Sequence, residues 1–228
     1  MSPEALAAHR RESVRQLMAE REAAAQERLE RAVGRCGIPE RFRGKSFEQF
    51  QAVTPKQQRI LRACRTYAER VAADRSQGAN LLLLGGPGTG KTHLSCAILA
   101  HAIRAGRTGL FISVAAALRL VRESFGPHSQ RTESEALALL IQPDVLVLDE
   151  AGTGIGKDEK RQAMLFDILD SRYAAMRSTI LIGNLTAEEM QAYLGERVMD
   201  RFHEDHSAVL SFRWPSHRRA LGTQPPSV

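Results

Sequence analysis

The residues Gly85-Gly86-Pro87-Gly88-Thr89-Gly90-Lys91-Thr92 follow the apolar run Leu81–Leu84 and open a helix-forming stretch. They satisfy Gly-x4-Gly-Lys-Thr in the strand-to-helix setting that this pattern requires. The glycines at 85, 86, 88 and 90 let backbone amides turn inward and approach phosphate oxygens, and the helix N-terminus that follows adds a favourable dipole. Lys91 supplies a fixed positive charge to the β and γ phosphates, and the Thr92 hydroxyl is placed to ligate magnesium. With Pro87 and Thr89 completing the loop, the stretch reads as a binding segment for ATP with Mg2+.

A second chemical group stands in Asp144-Val145-Leu146-Val147-Leu148-Asp149-Glu150, an apolar strand that ends in adjacent carboxylates. Asp149 is the natural magnesium partner, held through water, which makes Thr92 and Asp149 the metal set. Glu150 beside it can orient and polarise an attacking water. The competing reading of the pair is helix capping. A whole strand, Gly109–Val114, intervenes between the phosphate loop and this acidic strand. That interposition, with the Glu next to the Asp, is what hydrolases of the additional-strand P-loop class look like, and it weakens a kinase-like reading. Asn184 follows Thr179-Ile180-Leu181-Ile182-Gly183 at the carboxyl edge, where parallel sheets present ligands. It resembles a sensor-1 residue holding water or the γ-phosphate, and otherwise it is a turn residue. Arg197 and Arg201 lie four apart on one helical face. They are either surface arginines satisfied by Glu196 and Asp200, or they include a finger donated to a neighbouring subunit's γ-phosphate.

These groups need a scaffold, and the hydrophobic pattern supplies one. Short apolar runs at Leu81–Leu84, Gly109–Val114, Asp144–Leu148, Thr179–Ile182 and Ala208–Phe212 predict five buried strands. Helices are expected near Pro55–Ala73, Lys91–Ala105, Ala115–Phe125, Glu133–Ile141, Glu159–Met176 and Ala187–Leu194. Strand and helix in alternation predict an α/β fold, a five-stranded parallel sheet covered by helices on both faces. Glu4 to Val33 contains no Gly or Pro and is dense in strong helix formers. Its thin stripe of Leu6, Val14, Leu17, Met18 and Leu29 suits a partner protein; the competing reading is a solvated extension. The expected division is residues 1–45 as N-terminal helix and linker, 46–221 as the ATPase domain, and 222–228 as a disordered tail.

Composition excludes several classes. The chain has 228 residues, 43% hydrophobic and 25% charged, which suits a folded domain with an appendage. No apolar run approaches the ~18 residues of a membrane helix. No signal or transit segment is legible, so the expected location is cytoplasmic. Cys36, Cys64 and Cys96 have no zinc spacing and read as reduced thiols. A net charge of +6 permits a polyanionic partner without requiring one.

Four blocks give the sequence a family resemblance. They are Gly37-Ile38-Pro39 with Ser46-Phe47-Glu48-Gln49-Phe50, the loop with Lys91-Thr92-His93-Leu94, the Leu148-Asp149-Glu150 strand end, and Gly195-Glu196-Arg197-Val198-Met199-Asp200-Arg201 with Phe212-Arg213-Trp214. Together, over roughly residues 34 to 221, they resemble bacterial replicative-helicase loaders of the DnaC family, within the AAA+ ATPases (DnaC/IstB-like). The resemblance implies an AAA+ P-loop core and an ATPase weak alone and stimulated by DNA or assembly. It further implies a DnaB-type helicase as partner and nucleotide-dependent self-association. It makes Arg201 the finger, Arg197 a supporting arginine, and Arg218 the sensor-2 residue, with Arg219 adjacent and also able to reach. Between Ser113 and Asp144 it implies an insertion that tracks single-stranded DNA through Arg119, Arg122 and Phe125. The competing reading there is an ordinary crossover whose Leu118, Val121 and Leu137 pack on the sheet. Two other functions stand beside the loader: an IstB-like transposition ATPase and, from another class, a nucleoside monophosphate kinase.

Overall fold

The structure is a computed structural model that describes residues 36–73, 78–126, 131–153, 159–204 and 206–217, with Arg15 and Ser129. Apart from Arg15, the helix expected over Glu4–Val33 lies outside the described residues, as does the tail expected over 222–228. All five expected strands are present: β1 (Leu81–Gly85), β2 (Gly109–Ser113), β3 (Val145–Ala151), β4 (Ser178–Gly183) and β5 (Ala208–Phe212). They form one parallel sheet in the order β2-β3-β4-β1-β5.

Helices cover both faces, which is why these strands read as unbroken apolar runs. Leu81, Leu83, Val145, Val147, Ile180 and Ile182 point to one side, under α1 (Pro55–Ala72) and α2 (Lys91–Arg104). Leu82, Leu84, Leu146, Leu148 and Leu181 point to the other. That side carries α3 (Val114–Glu123), α4 (Glu133–Ile141), α5 (Glu159–Ala174), α6 (Ala187–Leu194) and α7 (Glu196–Arg201). Thr54, Thr132 and Thr186 each start a helix through a reciprocal capping box with Gln57, Glu135 and Glu189.

Two strand ends differ from expectation, each for a local reason. Strand β2 stops at Ser113 because that hydroxyl accepts the Ala116 N–H and caps α3, so Val114 is helical. Strand β3 runs on to Ala151, and its pairing with β4 shifts register between Leu148 and Ala151. Among the described residues, packing against the domain already includes Cys36 and Ile38. Cys36 and Ile38 are buried beside Phe47, and the Cys36 carbonyl accepts the Phe111 N–H at 2.6 Å on the open edge of β2. Gly37 permits this approach, since a Cβ there would lie 2.3 Å from the Phe111 carbonyl oxygen.

Arg172 of α5 is fully buried and ties three elements together. Its Nη1 donates to the Leu140, Ile141 and Pro143 carbonyls at 2.9 Å each, its Nη2 to Ser178 O at 2.5 Å, and its Nε to Thr179 Oγ1 at 3.0 Å.

Candidate functional site

The phosphate loop leaves β1 at Gly85 and enters α2 at Lys91. Gly85 takes φ 134° and Gly90 φ 99°, and neither position has room for a side chain. A Cβ at Gly85 would meet the Phe212 carbonyl at 2.4 Å, and one at Gly90 would meet the Phe50 ring at 2.5 Å. Lys91 is only 5% exposed, and its Nζ donates to the Gly85 and Gly86 carbonyls at 2.5 and 2.7 Å. Thr89 Oγ1 donates to Gly86 O at 2.8 Å, which closes the loop on itself.

Thr92 Oγ1 donates to Asp149 Oδ2 at 3.1 Å, so the end of β3 reaches the first turn of α2. Burial pushes the Asp149 carboxyl up from its ordinary pKa, against the Glu150 N–H, the Thr92 hydroxyl and the Lys91 charge. Two hard oxygen donors meet here, a donor set suited to Mg2+, and the residues present therefore fit that ion. Glu150 is exposed and holds φ 62° inside the register shift of β3. A bulge of this kind re-aims a side chain at a strand end, and a left-handed non-glycine residue is strain that the surroundings must hold.

Asn184 is exposed and follows Gly183, which pairs with Leu84 on one side and Ala151 on the other. It therefore stands at the carboxyl edge between the phosphate loop and the acidic pair. The fold thus brings Lys91, Thr92, Asp149, Glu150 and Asn184 to one edge.

It does not bring the two arginines of α7 there. Arg197 is exposed, its guanidinium 5.5 Å from the Phe166 ring centroid. Arg201 differs from a projecting finger: it is 9% exposed, paired with Asp170 of α5, and stacked 4.3 Å from the Tyr173 ring centroid. The four-residue spacing put both on one helix without revealing that α5 would bury the second. A cavity of about 270 Å³ lies beside them, lined mainly by apolar side chains of α5, α6 and α7, and it is separate from the phosphate loop. Arg218 lies outside the described residues. On α3, Arg119 and Arg122 are exposed while Leu118 and Val121 are buried on the sheet, and Phe125 beyond the helix end is 56% exposed. The two readings of this stretch are thus compatible.

Residues with no expected chemical role also pack at or beside the loop. Trp214 Nε1 donates to the Thr89 carbonyl at 3.1 Å, and the His217 N–H donates to the Gly88 carbonyl at 3.0 Å. His93 Nε2 donates to Ser46 O at 2.8 Å, and its ring meets Phe50 edge-on at 5.7 Å. The signal was the aromatic spacing in Ser46–Phe50 and Phe212–Trp214, whose meaning depends on β5 lying beside β1.

Comparison with known proteins identifies the family and the fold. The family described as IstB-like ATP binding protein matches residues 7–219. The chain is 33% identical over 192 residues to the replicative helicase loader DnaC of Buchnera aphidicola subsp. Schizaphis graminum (strain Sg), covering 84% of this chain and 76% of that one. The crystal structure of the DnaC helicase loader has the same fold, with a TM-score of 0.65 at 22% identity over 76% of this chain and 99% of that one. The replication initiator DnaA bound to AMPPCP and single-stranded DNA also shares it, with a TM-score of 0.63 at 18% identity over 78% of this chain and 51% of that one. Among the described residues no helix is long and apolar enough to cross a membrane. Matched from residue 7 to residue 219 and a third identical to DnaC over most of its length, the chain belongs to the IstB-like ATP-binding family, in the AAA+ group that includes DnaC.

Proposed function

We propose that this chain is an ATP-dependent loader that engages a DnaB-type replicative helicase and single-stranded DNA, places the ring on DNA, and is released by ATP hydrolysis. The observation that carries the reading is the Thr92–Asp149 contact, which joins the phosphate loop to an acidic strand end in a chain with relatives named replicative helicase loader DnaC. In this mechanism Lys91 neutralises phosphate charge, and Glu150 and Asn184 orient the attacking water. Mg2+, when bound by Thr92 and Asp149, would supply further charge neutralisation at the phosphates.

The test is phosphate release by the chain alone, with single-stranded DNA, and with a DnaB-type helicase ring. Turnover is expected to rise severalfold with DNA and to be accompanied by co-migration with the helicase. A second reading, an IstB-like transposition helper, is favoured by the family description itself. It expects stimulation by duplex DNA and a transposase, with no helicase binding. The nucleoside monophosphate kinase reading falls with the family membership.

Arg201 is the proposed finger, acting on a neighbour's γ-phosphate after leaving Asp170. Because it is buried, Arg201→Ala is also expected to destabilise the fold, by about 1–3 kcal/mol. Arg197→Ala, at an exposed position, should stay within about 0.5 kcal/mol of wild type. Mixing Arg201→Ala protein with Lys91→Ala protein restores activity only if the finger acts in trans. An Arg201→Ala protein with normal DNA-stimulated turnover would remove Arg201 from the mechanism.

A further inference from the structure

The phosphate loop is held from outside by the segment that follows β5. Two donors of that segment take consecutive loop carbonyls: Trp214 Nε1 takes Thr89 O at 3.1 Å, and the His217 N–H takes Gly88 O at 3.0 Å. The Trp214 indole is fixed in turn against Phe212, with ring centroids 5.0 Å apart. Phe212 itself is buried, and its carbonyl lies against Gly85 where the loop begins. On the other flank the Phe50 ring covers Gly90.

A trans peptide unit is planar, and its C=O and N–H point in opposite directions. Fixing the Thr89 carbonyl outward therefore aims the Gly90 N–H inward, and fixing the Gly88 carbonyl outward aims the Thr89 N–H inward. Among the described residues neither amide donates to a backbone carbonyl. Inward amides without protein acceptors are what an anion-binding concavity consists of. The glycines at 88 and 90, with φ 76° and 99°, make these peptide planes easy to rotate, so an unheld loop would present its amides in many orientations.

We propose that Trp214 is a positioning residue for phosphate binding: through the Thr89 carbonyl its indole N–H holds the loop amides in the orientation that receives the polyphosphate. The inference deepens the nucleotide reading and rests on it. It assigns to the chain after β5 a role in affinity that needs no contact between Trp214 and the nucleotide. The ligand class it serves is the nucleoside di- or triphosphate, through the phosphates.

Trp214 is the single tryptophan of the chain, which makes two clean experiments available. In the first, ADP binding to the full chain is measured by calorimetry for wild type, for Trp214→Phe, and for protein in which 3-benzothienylalanine replaces tryptophan biosynthetically. The benzothienyl ring keeps the shape of indole and has sulfur in place of the N–H. Loss of one such hydrogen bond is expected to weaken ADP about fivefold to tenfold in both altered proteins. Thermal midpoint and far-ultraviolet circular dichroism of the benzothienyl protein are expected to match wild type. In the second experiment the wild-type Trp214 emission is followed during ADP titration, and a saturable shift with the calorimetric midpoint is expected.

If the benzothienyl protein binds ADP as wild type does while Trp214→Phe does not, the ring only packs and the proposal is overturned. Unchanged affinity in both proteins overturns it as well. An emission spectrum indifferent to bound ADP overturns it from the other side. Wild-type protein that binds no ADP at all would sink the nucleotide reading itself, an outcome separate from the others.

Discussion

Lys91→Ala is expected to abolish nucleotide binding, and Glu150→Gln to keep binding while losing turnover by about a hundredfold or more. The two side chains differ in burial and in partners, and the difference sets their roles. Lys91 is buried and holds the Gly85 and Gly86 carbonyls, so its removal deletes the phosphate charge and loosens the loop that presents it. Glu150 is exposed at φ 62°, and glutamine has the same volume and similar tolerance of that backbone. Its replacement leaves the bulge and the Thr92–Asp149 contact in place and removes only the carboxylate that polarises water. The measurement is calorimetric binding of a non-hydrolysable ATP analogue beside phosphate release. Equal loss of affinity in the two variants would reverse the assignment and make Glu150 a binding residue.

The same pair shows which parts of the site were legible in the chain. The loop could be read because its function depends on contiguous residue types, with Gly, Lys and Thr at fixed spacing. The strands could be read because both faces of the sheet are covered, which writes Leu81–Leu84 and Val145–Leu148 as unbroken apolar runs. The carboxylates at the end of β3 could be read too, but the left-handed turn of Glu150 could not, since it sits in a register shift against β4, a strand some thirty positions later. Arg201 could not be read as buried, because helical spacing tells which residues share a face and is silent on what packs against it. Asp170 and Tyr173 come from α5, some thirty positions earlier in the chain. Trp214 belongs to the same class. Its partner is a carbonyl, which no side-chain pattern records, and the contact exists only because β5 pairs with β1.

Arg172 is the extreme case, and Arg172→Met is expected to cost about 3–5 kcal/mol, the range for breaking a buried charged network. In the sequence it is one arginine among many, in Asp170-Ser171-Arg172-Tyr173. In the fold its guanidinium is fully buried and bonded to four carbonyls and one hydroxyl, with no carboxylate among those five acceptors. Burial pushes its pKa down to about 9, so it is charged at neutral pH. The carbonyls of Leu140 and Ile141 belong to the last turn of α4, where a helix leaves acceptors without partners of its own. Ser178 and Thr179 open β4, so a single side chain pins the end of α4 to the sheet and to α5. Methionine fills much of the volume and supplies no donor, leaving those acceptors buried and dry. Lysine carries the charge on a point donor that cannot span the fork, and Arg172→Lys should fall between wild type and Arg172→Met. Urea unfolding at 25 °C gives the test. Against a typical domain stability of about 5–15 kcal/mol, the methionine variant should unfold at a much lower urea concentration. A shift worth less than about 1 kcal/mol would mean that water or a relaxed α4 terminus satisfies these carbonyls. The end of α4 would then be fastened to the core by its apolar side chains alone.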